Sequence, residues 1–113
     1  IDQSHPNLGM DPHWVEFYPY KVRIRPGESV TFTVTITNHE TESKHCKIKF
    51  RSIDGVKLSD EQQDFEVPAN SRVKRNLTAN FPDSFTTHSL PILADVTWDG
   101  RHLGEMAEAI AYW

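Results

Sequence analysis

The sequence is poorest in cysteine: Cys46 stands alone among 113 residues. One thiol excludes an internal disulfide, and it excludes zinc motifs that need two or more thiolates at short spacing. The fold must therefore be held by burial. Long apolar runs are also missing, since no stretch approaches the roughly 20 apolar residues of a membrane-spanning helix. Hydrophobic residues at 37% and charged residues at 25% describe a folded globular chain rather than a disordered tail. There is no basic excess: 12 Lys and Arg stand against 16 Asp and Glu, a net charge of −4. A dedicated nucleic-acid binder carries a basic footprint, so that class is disfavoured, and so is membrane insertion. No nucleophile elbow, phosphate-cradling glycine loop or His-Glu-x-x-His stretch occurs.

The chain opens at Ile1, with no charged n-region or apolar stretch behind it. That start implies either a removed signal peptide or a domain cut from a longer protein. Residues 1 to 12 carry Pro6, Gly9 and Pro12 among short polar side chains without periodicity, which reads as a linker. Residues 13 to 113 read as one domain, long enough to remove roughly two thirds of its unfolded surface from water.

What is present is alternation of apolar and polar residues at period two. Val15 and Phe17 share one phase, Pro19 removes a ladder donor, and Tyr20, Val22 and Ile24 resume in the other phase before Arg25-Pro26-Gly27-Glu28 turns the chain. The opening strand should therefore split at Pro19 and cross between sheets. From Ser29 to Asn38, Val30, Phe32, Val34 and Ile36 face one side and Thr31, Thr33, Thr35 and Thr37 the other. Cys46, Ile48 and Phe50 alternate with Lys47, Lys49 and Arg51. Ile53 to Gln63 reads as an Asp54-Gly55 turn and acidic loop. Phe65 and Val67 make a short strand before Pro68-Ala69-Asn70-Ser71. The next strand carries Val73, Leu77, Ala79 and Phe81, and Arg75 on its inward phase predicts a bulge or strand end. Leu90 to Trp98 and Leu103 to Trp113 form a last hairpin around Asp99-Gly100. The sum is an all-β, seven-stranded antiparallel sandwich of the immunoglobulin or fibronectin-III kind.

The turn residues carry a resemblance. Arg25-Pro26-Gly27-Glu28-Ser29-Val30, a Thr/Val strand ending in Thr37-Asn38, and Val67-Pro68-Ala69-Asn70-Ser71 resemble the immunoglobulin-like modules of the CARDB and NEW3 kind, over residues 13 to 113. The segment from Ala94 to Ala109 is similar to the final hairpin of immunoglobulin-like domains at the C-terminus of bacterial metallo-β-lactamase-fold hydrolases. The resemblance implies that such a hydrolase, with its zinc ligands, lies upstream of Ile1.

His5, His13, His39, His45, His88 and His102 are scattered over linker, turns and strand ends. Only His39 and His45 bracket a turn where Glu40 or Glu42 could join them, short of the three or four supported ligands of a zinc site. Cys46 shares phase with Ile48 and Phe50, so its thiol is read as inert core, with His45 on the opposite face. Asp60, Glu61, Asp95, Glu105 and Glu108 offer paired carboxylates but no pocket for acid/base work, and Asp95 is read as the cross-strand partner of outward Lys47, Lys49 and Arg51. Asn76-Leu77-Thr78 matches a glycosylation pattern that applies only in a eukaryotic secretory setting. The Thr31 to Thr37 row reads as a solvated face or a flat platform for a polymer or another protein. Aromatic side chains anchor interfaces and stack on sugars, which makes Trp14, Tyr18 and Trp113 the candidate contacts, with Trp98 in the core.

These residues predict no catalytic, metal or cofactor-binding residues and no cofactor. The expected role is a non-enzymatic accessory domain of a larger bacterial protein, packing on an upstream domain of the same chain, self-associating or tethering to a surface glycan. The competing expectation is an exported carbohydrate-binding or adhesive module. Association with the module class places either outside the cytoplasm.

Overall fold

The computed structural model describes residues 14–53, 55–84 and 88–113, so the linker expected over residues 1 to 12 and Asp54 of the expected turn lie outside the described residues. Among the described residues there are nine strands and no helix. In chain order they are β1 (Val15–Tyr18), β2 (Lys21–Arg23), β3 (Ser29–Thr37), β4 (Lys44–Arg51), β5 (Lys57–Leu58), β6 (Gln62–Val67), β7 (Arg72–Asn80), β8 (Ser89–Trp98) and β9 (Arg101–Tyr112). They form a four-stranded sheet, β1-β3-β7-β5, packed on a five-stranded sheet, β2-β9-β8-β4-β6.

Two features raise the strand number from seven to nine: the split at Pro19, as expected, and a short strand in the stretch read as a loop. The opening strand is cut at Pro19 into β1, which pairs with β3, and β2, which pairs with β9, so its halves belong to different sheets. The Tyr18-Pro19 bond between them is cis. In the stretch read as a loop, Lys57 and Leu58 pair with Asn80 and Ala79 to make β5. The sandwich is also not wholly antiparallel. Lys21, Val22 and Arg23 run parallel to Ile110, Ala111 and Tyr112, because the crossing at Pro19 brings the second half-strand beside the end of the chain without reversing it.

A third correction concerns Arg75, where a bulge or strand end was expected. The register of β3 against β7 is unbroken from Ser29↔Asn80 to Thr37↔Arg72, with Arg75 opposite Val34. Arg75 keeps its inward phase and stays exposed because β5 reaches only Asn80 and Ala79, leaving this stretch of β7 at the sheet margin. Its guanidinium lies 4.7 Å from the centre of the Phe65 ring on the opposite sheet. A cation over a ring face closes the side of the sandwich where an aliphatic residue would otherwise be needed.

The alternation seen in the sequence builds the core. Phe32, Val34 and Ile36 of β3, Cys46, Ile48 and Phe50 of β4, Leu77 and Ala79 of β7, and Leu90, Ile92, Ala94, Val96 and Trp98 of β8 are buried between the sheets. Turn chemistry sets the connections. Asp99 (φ 49°) and Gly100 (φ 83°) are both left-handed, as a two-residue hairpin turn between right-twisted strands requires. Gly27 closes the turn before β3 at φ 76°, a left-handed conformation that favours glycine. Strand β9 carries two bulges: Leu103 and Met106 have no opposite residue on β8, where the register steps at Val96/Thr97 and Ala94/Asp95.

One buried polar side chain ties the turns together. Asn38, 1% exposed at the end of β3, donates from Nδ2 to the carbonyls of Glu42 (2.8 Å), Val67 (3.0 Å) and Pro68 (3.2 Å). Its Oδ1 accepts from the Glu40 N–H at 2.8 Å, and its own N–H donates to the Ser71 carbonyl at 2.8 Å. One side chain thereby satisfies groups in both the β3–β4 and β6–β7 turns.

Candidate binding surfaces

The three aromatic candidates occupy three different environments. Trp14 is 1% exposed and stacks edge-on against Trp98, ring centres 4.9 Å apart at 71°. Its carbonyl accepts from Thr37 N–H at 2.8 Å, which pulls the indole inward ahead of β1. Trp14 is thus a core residue and offers no ring to a partner, contrary to its expected exposure. Trp113 is half-buried and lines an open hollow with Arg23, Ile24, Arg25, Pro26 and Glu28. Tyr18 is 76% exposed at the end of β1. Val15 and Phe17 occupy the inward phase of that strand, so Glu16 and Tyr18 project from the outer face of the four-stranded sheet.

Sequence reasoning passed over Tyr20, which is 72% exposed just beyond Pro19. It lines a hollow with Val15, Phe17, Met106, Ala107 and two glutamates, where the margins of the two sheets meet. The available signal was its place in the pair of tyrosines around Pro19. Tyr112 is 36% exposed on β9, and Lys21 Nζ sits 5.4 Å from its ring centre.

The outer face of the five-stranded sheet is laced with ion pairs. Asp95 is only 7% exposed although it sits on the outward phase. Its Oδ2 accepts from Arg51 at 3.1 Å and its Oδ1 meets His102 Nε2 at 2.7 Å. Two cationic or donor partners compensate a carboxylate that would otherwise be desolvated at a cost. At the opposite margin His45 of β4 is gripped by two carboxylates of β6, with Nε2 3.2 Å from Asp64 and Nδ1 3.2 Å from Glu66. His45 therefore joins neither His39 nor Glu40. No group of three or more metal-ligating side chains with suitable geometry occurs among the described residues.

The hydrogen bond to Asp64, followed by that to Glu66, raises the His45 pKa above its ordinary 6.5. Asp64 is held below its ordinary value, chiefly by the hydrogen bond from Gln62. A raised histidine pKa gives stability that is fully present below the unfolded value near 6.5 and is lost as pH rises through the folded value. The depressed Asp64 acts in the opposite sense at acid pH, losing its contribution as pH falls through its folded value. We therefore expect the urea midpoint to fall as pH rises above about 6.5, and His45→Gln to remove most of that fall. The His45 side chain is 46% exposed, so screening by solvent keeps the effect under about 1 kcal/mol. An unchanged slope in the variant would show that other groups set it.

Cys46 is fully buried, and desolvation pushes its thiol up to about 12. At neutral pH it is a protonated core side chain opposite Phe65 on one neighbouring strand and Trp98 on the other. A thiol in that state has negligible nucleophilic character.

Together these features define a small immunoglobulin-like β-sandwich domain in which, among the described residues, the most exposed aromatic side chains flank Pro19. No protein-family model matches the sequence, and no curated protein matches it. Among solved structures the chain is similar to the FixG-related protein from Vibrio parahaemolyticus, with a TM-score of 0.59 at 14% identity over 74% of this chain and 77% of that one. It is similar to the alkylpurine DNA glycosylase AlkC of Pseudomonas fluorescens bound to DNA containing an abasic site analog, with a TM-score of 0.53 at 18% identity over 89% of this chain and 30% of that one. It also matches a family 123 glycoside hydrolase from Clostridium perfringens, with a TM-score of 0.54 at 8% identity over 81% of this chain and 21% of that one. Likeness at such identities concerns the fold, which hosts many unrelated functions.

Proposed function

We propose that the domain is a non-catalytic accessory module of a larger protein, packing against its neighbour through the margin where β1 and β9 meet. The observation that carries this reading is Tyr20, 72% exposed beside a hollow lined by Val15, Phe17, Met106 and Ala107. A tyrosine buries about 150–250 Å² when covered and anchors interfaces disproportionately. Further support comes from the two enzymes above, in which the matched fold accounts for 30% and 21% of a longer chain. The resemblance of the closing hairpin to domains that follow metallo-β-lactamase-fold hydrolases gives the proposed parent its chemistry.

The test is the reading frame upstream of the codon for Ile1. A domain with a His-x-His-x-Asp-His motif there supports the reading, and a signal peptide ending at Ile1 defeats it. In that parent, deletion of residues 13 to 113 is expected to alter stability or assembly while metal content stays unchanged, with Tyr20→Ala reproducing part of the effect. Loss of the metal itself would contradict an accessory role.

A further inference from the structure

Between charged ends, the middle of the outer face of the four-stranded sheet carries uncharged hydrogen-bonding side chains in register across two long strands. Thr31 Oγ1 and Thr78 Oγ1 are 3.0 Å apart, and Thr33 Oγ1 donates to Asn76 Oδ1 at 3.1 Å. Ser29 Oγ donates to Asn80 Oδ1, and Thr37 Oγ1 accepts from Arg72 Nε at 3.2 Å. These contacts hold the side chains in place before any ligand arrives, which lowers the ordering cost of binding. Asn76 uses its carbonyl on Thr33, and its Nδ2 donors have no partner among the described residues. Each threonine hydroxyl retains bonding capacity beyond its single cross-strand contact.

Tyr18 completes the row. Its Cα partner on β3 is Thr33, and the partner of Thr33 on β7 is Asn76, so Tyr18, Thr33 and Asn76 cross the sheet in one line. At 76% exposure the tyrosine ring is the most solvent-exposed large apolar surface among the described residues. The adjoining row, Glu16–Thr35–Lys74, carries one charge of each sign, and Arg72 opposite Thr37 and Lys57 opposite Asn80 lie further out along the strands, so the uncharged part of this face is the row itself with the Thr31–Thr78 pair.

We infer that the row Tyr18–Thr33–Asn76, with Thr31 and Thr78 beside it, is a binding site for a neutral oligosaccharide. An aromatic ring accepts the C–H face of a sugar, and amide and hydroxyl groups bind its hydroxyls. Tyr18 and Asn76 lie two strands apart, about 10 Å, a span that a short oligosaccharide bridges and a single sugar does not. The site is independent of the Tyr20 margin, so it stands or falls separately from the accessory reading.

The experiment is an amide-shift titration of the 15N-labelled chain with cellohexaose, chitohexaose, mannohexaose and xylohexaose, with glucose as the monosaccharide control. Shifts confined to Tyr18, Thr31 to Thr35 and Asn76 to Thr78 are expected with at least one hexasaccharide and not with glucose. Tyr18→Ala should weaken that binding about tenfold or more, since it removes the aromatic anchor. Tyr18→Phe, which keeps the ring, should largely retain it, and Asn76→Ala should weaken it. Tyr18 lies outside the core, so the alanine variant should melt with the wild type and serve as a folded control. Added salt should leave affinity unchanged, because no charge is neutralised. The inference is overturned by silence with all four hexasaccharides, by shifts elsewhere on the domain, or by wild-type affinity in Tyr18→Ala. Strongly salt-sensitive binding would equally reject a neutral ligand.

Discussion

Asn38→Ala should lower unfolding free energy by about 2–4 kcal/mol, the largest loss expected from any polar substitution in this domain. The reason lies in what the side chain leaves behind. Its Nδ2 is shared by three carbonyls, those of Glu42, Val67 and Pro68, and its Oδ1 holds the Glu40 N–H. Alanine removes every one of these contacts, and each buried group left unpaired costs about 1–3 kcal/mol unless water reaches it. Asn38→Asp sharpens the test, because an ionised carboxylate would face carbonyl oxygens and cannot donate to them. Its pKa in the folded state must then rise above the ordinary aspartate value near 3.9. A raised folded pKa means that stability is present at low pH and lost as pH increases through it. The aspartate variant should therefore recover toward wild type as the solution is acidified, whereas the alanine variant should not. Chemical denaturation across pH measures both, and parallel curves for the two variants would refute the donor argument.

Trp98→Ala is the second large loss, about 3–5 kcal/mol, enough to lower the thermal midpoint by more than about 10 °C. Trp98 is 3% exposed, packs edge-on against Trp14 at 4.9 Å and donates from Nε1 to Glu40 at 2.9 Å. The phenylalanine variants separate packing from hydrogen bonding. Trp98→Phe loses both indole volume and the bond to Glu40. Trp14→Phe loses a similar volume, but the Trp14 Nε1 is buried with no partner among the described residues. Trp14→Phe should therefore cost less than Trp98→Phe by about 1 kcal/mol, the net worth of one hydrogen bond. Equal losses in calorimetry would mean that the Glu40 contact contributes nothing.

The strands that alternate cleanly were legible in the sequence because one side of each is buried and the other is solvated. The Thr31 to Thr37 face, the burial of Cys46 and Trp98, and the hairpin at Asp99-Gly100 all follow from that rule. What escaped it depends on partners far away in the chain. Lys57 and Leu58 count as a strand only because Asn80 and Ala79 lie alongside, and two residues carry no period of their own. Arg75 looked like a break because an inward cation needs a compensating surface, and that surface, Phe65, belongs to the other sheet. Trp14 follows a proline-rich stretch with no alternation to fix its phase, so only its packing on Trp98 reveals it as core. Asn38 read as the last residue of the Thr/Val strand, and its role emerges only when Val67 and Pro68 arrive from the β6–β7 turn. Of the candidate contacts, Tyr18 was accessible from phase with Val15 and Phe17, while Tyr20 needed the geometry of the crossing.

Strand β9 has β8 on one side for its whole length but β2 on the other only along Ile110 to Tyr112, so from Arg101 to Ala109 one side has no strand paired with it among the described residues. A straight margin of that length would be a template on which a neighbouring chain could add a strand, the route to domain swapping and fibrils. The extra residues Leu103 and Met106 break the even spacing of donors and acceptors and sharpen the local twist. An incoming strand would lose register within a few residues. The same two insertions that misalign β9 with its own partner therefore act as a guard against uncontrolled self-assembly in a crowded solution.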